Sequence, residues 1–295
     1  MKIVQGDEVA ETLGGTHREG VSMRQRLLDG EVGSPDNYSL VIARSPGRYS
    51  PRHRHNFEQF RFQLEGVADY GRTGKLKPGM VGYFPESVHY GPQTQPDGEM
   101  LSVMVLQFAG ASGNGYPGRS VTLAVAEELK QIGHFKEGVF YRNEGLPGKK
   151  QMDGFQAIWE HYNKRPLEYS APRYNAPILM DPENFDWVPV DGSPGAFAKD
   201  MGTFTERCCG VGFIKLEAGS TFEADGARDI YVVLSGTGTV EGQGYRLHTT
   251  VMLDRGERAQ FTAKEPTAMI HMRLPDLRGV GIDRRHDPVV REAAE

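Results

Sequence analysis

The chain has 295 residues, enough for two ordinary domains, with 38% hydrophobic and 25% charged side chains and a formal net charge of −5. A negative balance without an extended basic face excludes binding that depends on neutralising nucleic-acid phosphates. No apolar run approaches the roughly 20 residues a bilayer-spanning helix needs, and the N-terminal MKIVQGDEVAE holds no signal-peptide core, so no membrane partner and a cytoplasmic location are expected.

Glycine (37) and proline (18) are plentiful, which favours turns and a β-rich fold. Residues 1–34 read as an N-terminal arm. The stretch around Met23 to Leu28 in it is a candidate strand reaching a partner subunit or the other domain. YSLVIAR, residues 38–44, reads as the first strand of a barrel spanning 35–119. Within it, GRYSPRHRHNFEQFRFQLEG places His53 and His55 two apart, so on a strand both project from one face. Gln59 shares their parity, Glu58 lies beside it on the other, and His89 follows thirty residues after Gln59.

Three imidazoles and one side-chain oxygen from adjacent strands suit a divalent transition metal: Fe, Mn, Ni or Zn. A pair of strand histidines hydrogen-bonded to neighbours is the plain alternative, which the third histidine weighs against. The oxygen donor stays open: parity selects Gln59, whereas a bulge would bring in Glu58. A neutral glutamine leaves the ion its full charge and makes it a stronger Lewis acid, with Glu58 then available as a general base.

The run Phe60-Arg61-Phe62-Gln63-Leu64 alternates. If Gln59 faces the lumen, Arg61 and Gln63 do too, and the phenylalanines pack between sheets. A guanidinium near a metal disfavours the cation unless an anion lies between them, which points to a substrate carboxylate or enolate paired with Arg61. The alternative is an outward Arg61 in a surface ion pair. Tyr83, Tyr49 and Tyr90 lie near these residues; Tyr83 is taken as a substrate contact, against a packing role. LSVMVLQF, residues 101–108, reads as a buried strand, and GASGNGYPG, residues 110–118, as loop.

Residues 120–200 read as a partly helical, proline-rich connection. TLAVAEELKQI (122–132) has helical spacing, and Asp153 precedes a second helical stretch, GFQAIWEHYNKR. His161 on that stretch is a surface residue. Strand signals return over 201–278, and 279–295, with Arg284, Arg285 and His286, reads as a charged solvated tail. Cys208 and Cys209 are adjacent and therefore seldom pair; one core and one partly exposed thiol are expected.

Gly47, His53, His55, Glu58 or Gln59, and Gly66 resemble the first cupin motif, and Gly79, Pro85 and His89 resemble the second. The interval from Pro85 to His89 is one residue short of that pattern, and Ser87 stands where the family has glycine. Gly219 and Gly236, with DIYVVLSG between them, look like a degenerate second copy, in which Asp225 and Ala227 fall at the histidine positions. His248 and His271 lie in later strands without partners at ligand spacing. The resemblance implies an all-β chain: two jelly-roll barrels in tandem with a partly helical connecting segment, metal in the first only, and a homodimer. It also implies a small-molecule substrate. A dioxygenase-type oxidoreductase like the quercetin dioxygenase-like cupins, acting on an enolic, phenolic or keto-acid compound, is the first expectation. A redox-neutral isomerase, decarboxylase or lyase and a non-catalytic binding barrel are the alternatives.

Overall fold

Turn-rich sequence with short β-prone runs becomes antiparallel sheet: in a computed structural model, strand accounts for 45% of the described residues and helix for 11%. The structure describes residues 1–14, 22–47, 49–95 and 99–280. Arg284, Arg285 and His286 of the expected tail lie outside them. The chain divides into two compact units. One holds Asp29–Leu179 with Glu11–Arg24, the other Met180–Arg278 with Met1–Ala10 and Gln25–Leu28. The division thus falls inside the expected 120–200 connection, and the first ten residues of the expected arm belong to the C-terminal unit, where Lys2–Val4 pairs antiparallel with Thr250–Leu253.

In the N-terminal unit the larger sheet runs Val81–Phe84, Phe57–Glu65, Leu101–Ala109, Tyr38–Ser45 through its centre. A four-stranded sheet of Tyr49–Ser50, Gln93–Thr94, Ala68–Asp69 and Lys75–Leu76 faces it. The lumen between them is identified by a core of Ala43, Phe84, Leu101 and Val103 from the first sheet packed with Ala68, Tyr70 and Leu76 from the second. Phe57–Glu65 is buried on both faces along most of its length. Its register opposes Gln59 to Phe84 and Gln107, and Arg61 to Gly82 and Val105. Opposed residues share a face, so Gln59, Arg61 and Gln63 point into the lumen. Phe60 is on the other face, against Tyr83 and Phe108. The phenylalanines therefore pack behind this sheet rather than between the two.

The connection folds onto its own small core. Helices Arg119–Leu129 and Gly154–Asn163 pack through Val125, Ala126, Leu129, Ala157 and Ile158 around Phe140 of a three-stranded sheet, Gly133–Lys136, Val139–Arg142 and Gln151–Asp153. Asp153 caps the second helix by accepting from the Gln156 amide at 3.0 Å. That sheet had no signal in the sequence reading.

The C-terminal unit repeats the two-sheet plan. Its seven-stranded sheet runs Lys2–Val4, Thr250–Leu253, Asp229–Ser235, Thr267–Arg273, Gly210–Leu216, Ala196–Thr203, Val188–Pro189. Its lumen is filled by Phe222, Tyr231, Val233, Tyr245, Val251 and Phe261, among others. His271 has a partner that the sequence reading missed: its Nε2 lies 2.5 Å from Asp229 Oδ1, which also accepts from Arg273 Nε at 3.2 Å. The Ala227 amide donates to Oδ2 at 2.6 Å. Cys209 is buried and Cys208 exposed, both as thiols.

The two barrels share one backbone necessity. Gly66 and Gly236 end equivalent strands at φ +70 and +85, and a Cβ there would lie 2.3 Å from the Met100 carbonyl oxygen and 2.4 Å from that of Pro266. Gly66→Ala and Gly236→Ala are each expected to cost about 2 kcal/mol, read as a lower denaturation midpoint at unchanged slope. Asp229→Asn removes a buried carboxylate hydrogen-bonded to His271, Arg273 and the Ala227 amide and is expected to cost about 2 kcal/mol. Burial would raise the Asp229 pKa, but the His271 bond and charge, the Ala227 amide and Arg273 outweigh it and hold it below the ordinary 3.8. A depressed folded pKa gives stability that is full above the unfolded value and fades as pH falls through the folded one. The share of the gap between wild type and Asp229→Asn that comes from the Asp229 charge should therefore fade only in strong acid.

Candidate functional site

The candidate site forms where the segment before Phe57–Glu65 meets the segment after Val81–Phe84. His53 and Tyr90 pair as an isolated antiparallel bridge, with backbone N–H···O distances of 3.1 and 3.0 Å. Ser87 sits at φ 68, and its amide donates to the His55 carbonyl at 2.7 Å. It therefore adopts the left-handed conformation for which glycine is the usual residue. This backbone pairing puts the side chains of His53, His55 and Tyr90 together: the Tyr90 hydroxyl is 3.0 Å from His53 Nε2 and 2.9 Å from His55 Nε2. All three residues are buried.

His89, the third ligand of the sequence reading, is not brought into this group. Its side chain is exposed, because neighbours in an extended segment point to opposite sides and Tyr90 takes the inward place. Partial burial, then the charges of Arg54 and Arg52, lowers its pKa. The interval from Pro85 that looked one residue short is complete when counted to Tyr90. That count was the available signal for the residue the sequence reading did not select.

Gln59 does reach the lumen, but its oxygen is engaged. Arg61 donates from Nε to Gln59 Oε1 at 2.8 Å, from Nη1 to the Tyr70 hydroxyl at 2.8 Å and Gln93 Oε1 at 3.4 Å, and from Nη2 to the Tyr90 hydroxyl at 2.8 Å. Since the guanidinium has only donors, the Gln59 atom it meets must be the oxygen, which leaves Nε2 as a buried donor without a hydrogen-bond partner among the described residues. Arg61 also lies over the Phe84 ring, 4.2 Å from its centroid. Burial works against its charge, yet Tyr70 and Tyr90 outweigh that and hold its pKa above the ordinary value. The acceptors around it are two phenols and two amides, with no carboxylate among them. The outward-facing alternative for Arg61 is thereby removed.

Glu58 and Tyr83 sit on the far face of the sheet. The Tyr83 hydroxyl donates to Glu58 Oε2 at 3.0 Å, both residues are buried, and Tyr174 packs edge-on against Tyr83. A base or a substrate contact in the lumen cannot come from a side chain behind the sheet. Gln63 faces the lumen but donates to the Glu65 and Ser102 carbonyls at 2.7 and 3.3 Å, a backbone-tying role. Tyr49 is exposed. The mouth beside His55 is closed by Phe57, stacked on it with centroids 4.4 Å apart, and by Phe155 at the start of the second helix, edge-on at 5.5 Å. Nearby, buried Glu86 accepts from Arg173 at 2.7 Å and from the Ser112 hydroxyl at 2.6 Å, joining a loop to the proline-rich segment.

Among the described residues no three His, Cys, Asp or Glu side chains converge as a metal-binding group. A divalent ion must therefore be tested against two imidazoles and a phenol. Ligands about 2.1 Å from one ion in adjacent octahedral positions lie about 3.0 Å apart. The observed 2.9 and 3.0 Å between the Tyr90 oxygen and the two Nε2 atoms match that spacing. His53 Nδ1 lies 2.6 Å from the Pro51 carbonyl and must donate to it, which leaves the Nε2 lone pair directed inward, the orientation a metal-binding histidine needs. The two Nε2 atoms and the Tyr90 oxygen are thus spaced as donors to one divalent ion would be, a different set from the four residues expected.

No protein-family model matches the sequence, and no curated protein matches it. Solved structures do. A candidate dioxygenase from Nostoc punctiforme superposes with a TM-score of 0.61 at 12% identity, covering 92% of this chain and 82% of its own. A variant of oxalate decarboxylase from Bacillus subtilis superposes at 0.53 and 13% identity, covering 93% and 77%. A protein from Geobacillus kaustophilus does so at 0.53 and 12%, covering 93% and 95%. At these identities the likeness concerns the fold. It shows that this chain shares their overall fold, in keeping with the paired sheets and the repeated glycine turn of its two units.

Proposed function

We propose that the N-terminal barrel is the site of a metal-dependent enzyme, an oxidoreductase of dioxygenase type acting on a small enolic, phenolic or keto-acid compound. The observation that carries this reading is the convergence of His53 Nε2, His55 Nε2 and the Tyr90 oxygen at cis-ligand spacing in a buried, aromatic-walled lumen. A bound Fe, Mn, Ni or Zn ion would supply Lewis acidity and open coordination positions and, if redox-active, a place for oxygen to react.

The chain's own residues define what such a substrate must be. Arg61 carries a full positive charge with no carboxylate among its acceptors, so an anionic substrate is favoured by the field of the lumen. Three of its donor groups are already committed, so it acts through its charge more than through a bidentate grip. Gln59 Nε2 is the donor left over for a substrate oxygen. Phe57, Phe84 and Phe155 exclude water and give a planar compound apolar faces to lie against. Deprotonation of the substrate is not assigned to Glu58, which lies behind the sheet.

Purified protein incubated with each metal in turn and analysed for elemental content should retain about one ion per chain, and His53→Ala and His55→Ala should each lose it. His89→Ala should keep the metal and stay within about 0.5 kcal/mol of wild-type stability. Glu58→Ala should keep the metal too while losing about 1–3 kcal/mol with its buried hydrogen bond to Tyr83. Oxygen uptake with a panel of diketones and flavonols supports the oxidoreductase reading; turnover under strict anaerobiosis would replace it with a redox-neutral decarboxylase, isomerase or lyase. A folded protein that takes up none of the metals would leave a barrel that binds small molecules without catalysis.

A further inference from the structure

We propose that the C-terminal barrel binds a small hydroxycarboxylate at one end of its lumen, through Arg273, His271 and Tyr231. The site is independent of the metal reading above, because these residues all belong to the C-terminal unit.

Register brings the group together. Asp229 opposes Leu253 and Arg273, and Tyr231 opposes Val251 and His271. Tyr231, Val251 and Leu253 belong to the lumen core, and opposed residues share a face, so Asp229, Arg273 and His271 lie on the lumen side too. On the next strand Gly212 opposes His271 and Gly210 opposes Arg273. The bulge at Asp200–Gly202 accounts for both glycines: a Cβ would stand 2.6 Å from the Lys199 carbonyl oxygen at Gly212 and 2.9 Å from that of Gly202 at Gly210. Backbone, not side chains, therefore borders the cluster on that flank. Solvent reaches this end of the barrel, since side-chain exposure rises from 1% at Asp229 to 19% at His271 and 40% at Arg273.

The hydrogen bonds leave a specific remainder. An ionised carboxylate only accepts, so His271 donates to Asp229 from Nε2. That bond fixes the ring and leaves Nδ1 without a hydrogen-bond partner among the described residues. Arg273 gives Asp229 only its Nε, at 3.2 Å, and its two Nη groups have no partner among the described residues. The Tyr231 hydroxyl has none there either, although the residue is only 4% exposed. Burial and then the Asp229 charge hold the Tyr231 pKa above its ordinary value against the pull of Arg273, so the phenol keeps its proton to donate. The acids nearby are engaged locally: Asp200 accepts from the Gly202 amide at 2.8 Å, and Asp225 pairs with Arg258 at 3.0 Å. A carboxylate is what the Nη pair matches, with the phenol as a further donor. The neutral imidazole accepts at Nδ1, which calls for a hydroxyl beside that carboxylate. The Tyr231 and His271 rings, stacked at 4.6 Å and 7° between planes, offer the ligand a flat wall.

The test uses the full chain with isotope-labelled histidine rings, the His271 signal being the one missing from His271→Asn. The probes are lactate and mandelate, with lactamide and mandelamide as uncharged counterparts and propionate as the acid without a hydroxyl. At least one hydroxy acid should shift the His271 signal saturably, and its amide should bind at least about tenfold more weakly. Arg273→Gln should weaken binding by at least about tenfold, while Arg273→Lys, which keeps the charge, retains part of it. Tyr231→Phe and the exchange of lactate for propionate should each cost roughly two- to tenfold. His53→Ala, which disables the first barrel, should leave the shift in place. A His271 signal unmoved by either hydroxy acid up to about 20 mM overturns the proposal, as does a shift that survives unchanged in Arg273→Gln or vanishes in His53→Ala. The cluster is then a structural ion-pair network, and the metal reading of the first barrel stands or falls on its own tests.

Discussion

A guanidinium buried away from water has to be surrounded by acceptors, and the architecture of the N-terminal lumen follows from that demand on Arg61. Its three donor groups reach Gln59, Tyr70, Gln93 and Tyr90, which come from the central strand of one sheet, from the opposite sheet's strands and their flanks, and from the segment beside His53. One side chain thereby ties both sheets to the candidate metal site. The chemistry available in the lumen is set by the same demand. It fixes which atom of Gln59 faces outward as a donor, and it places positive charge next to the Tyr90 oxygen, which lies within 3.0 Å of both imidazoles.

Strand parity divides labour along Phe57–Glu65. The odd-numbered side chains Gln59 and Arg61 form the polar lumen, while Glu58 and Phe60 pack behind the sheet with Tyr83 and Phe108. That division was legible from the alternation in the sequence, and with it the lumen-facing placement of Arg61 and Gln63. The double burial of the strand was not. Alternation normally separates a buried from a wetted face, and here a buried carboxylate on the far face finds its partner in a tyrosine from a strand paired only in three dimensions. Glu58 and Tyr83 look chemically interesting in sequence because both lie near the histidines. Their mutual hydrogen bond lies behind the sheet, on the face opposite the lumen.

The second barrel repeats the same frame with other side chains at the matching positions. Counting back from Gly236 as from Gly66, Asp229 stands where Gln59 does, Tyr231 where Arg61 does and Val233 where Gln63 does; across the ladder His271 replaces Val105 and Arg273 replaces Gln107. The charges have changed partners. Asp229 receives His271 and Arg273 at hydrogen-bond distance, and Tyr231 stacks on His271 at 4.6 Å between centroids. A carboxylate already matched by Arg273, His271 and a backbone amide has little left for a ligand. Deeper in, Phe222, Phe261 and Val251 fill the space. Asp225, which the sequence reading put at a histidine position, is exposed and paired with Arg258 at 3.0 Å, and the Asp229–His271 pair was not legible because its members are forty-two residues apart and only the antiparallel register brings them together.

The third corner of the first barrel's site was misplaced for an equally physical reason. A histidine at position 89 has the right chemistry for a metal and lies within one residue of the right place, so identity outweighs spacing in a sequence reading. Backbone geometry makes the opposite choice. Ser87 takes the left-handed turn, its amide bonds the His55 carbonyl, and the bridge to His53 then falls on Tyr90. Once that bridge is formed, the side chain of residue 90 must share a face with that of His53, and residue 89 must point away. Position in the ladder decides which group meets the imidazoles, and the remainder of the lumen, from the Arg61 contact to the Phe84 ring, is built around a phenol at that point.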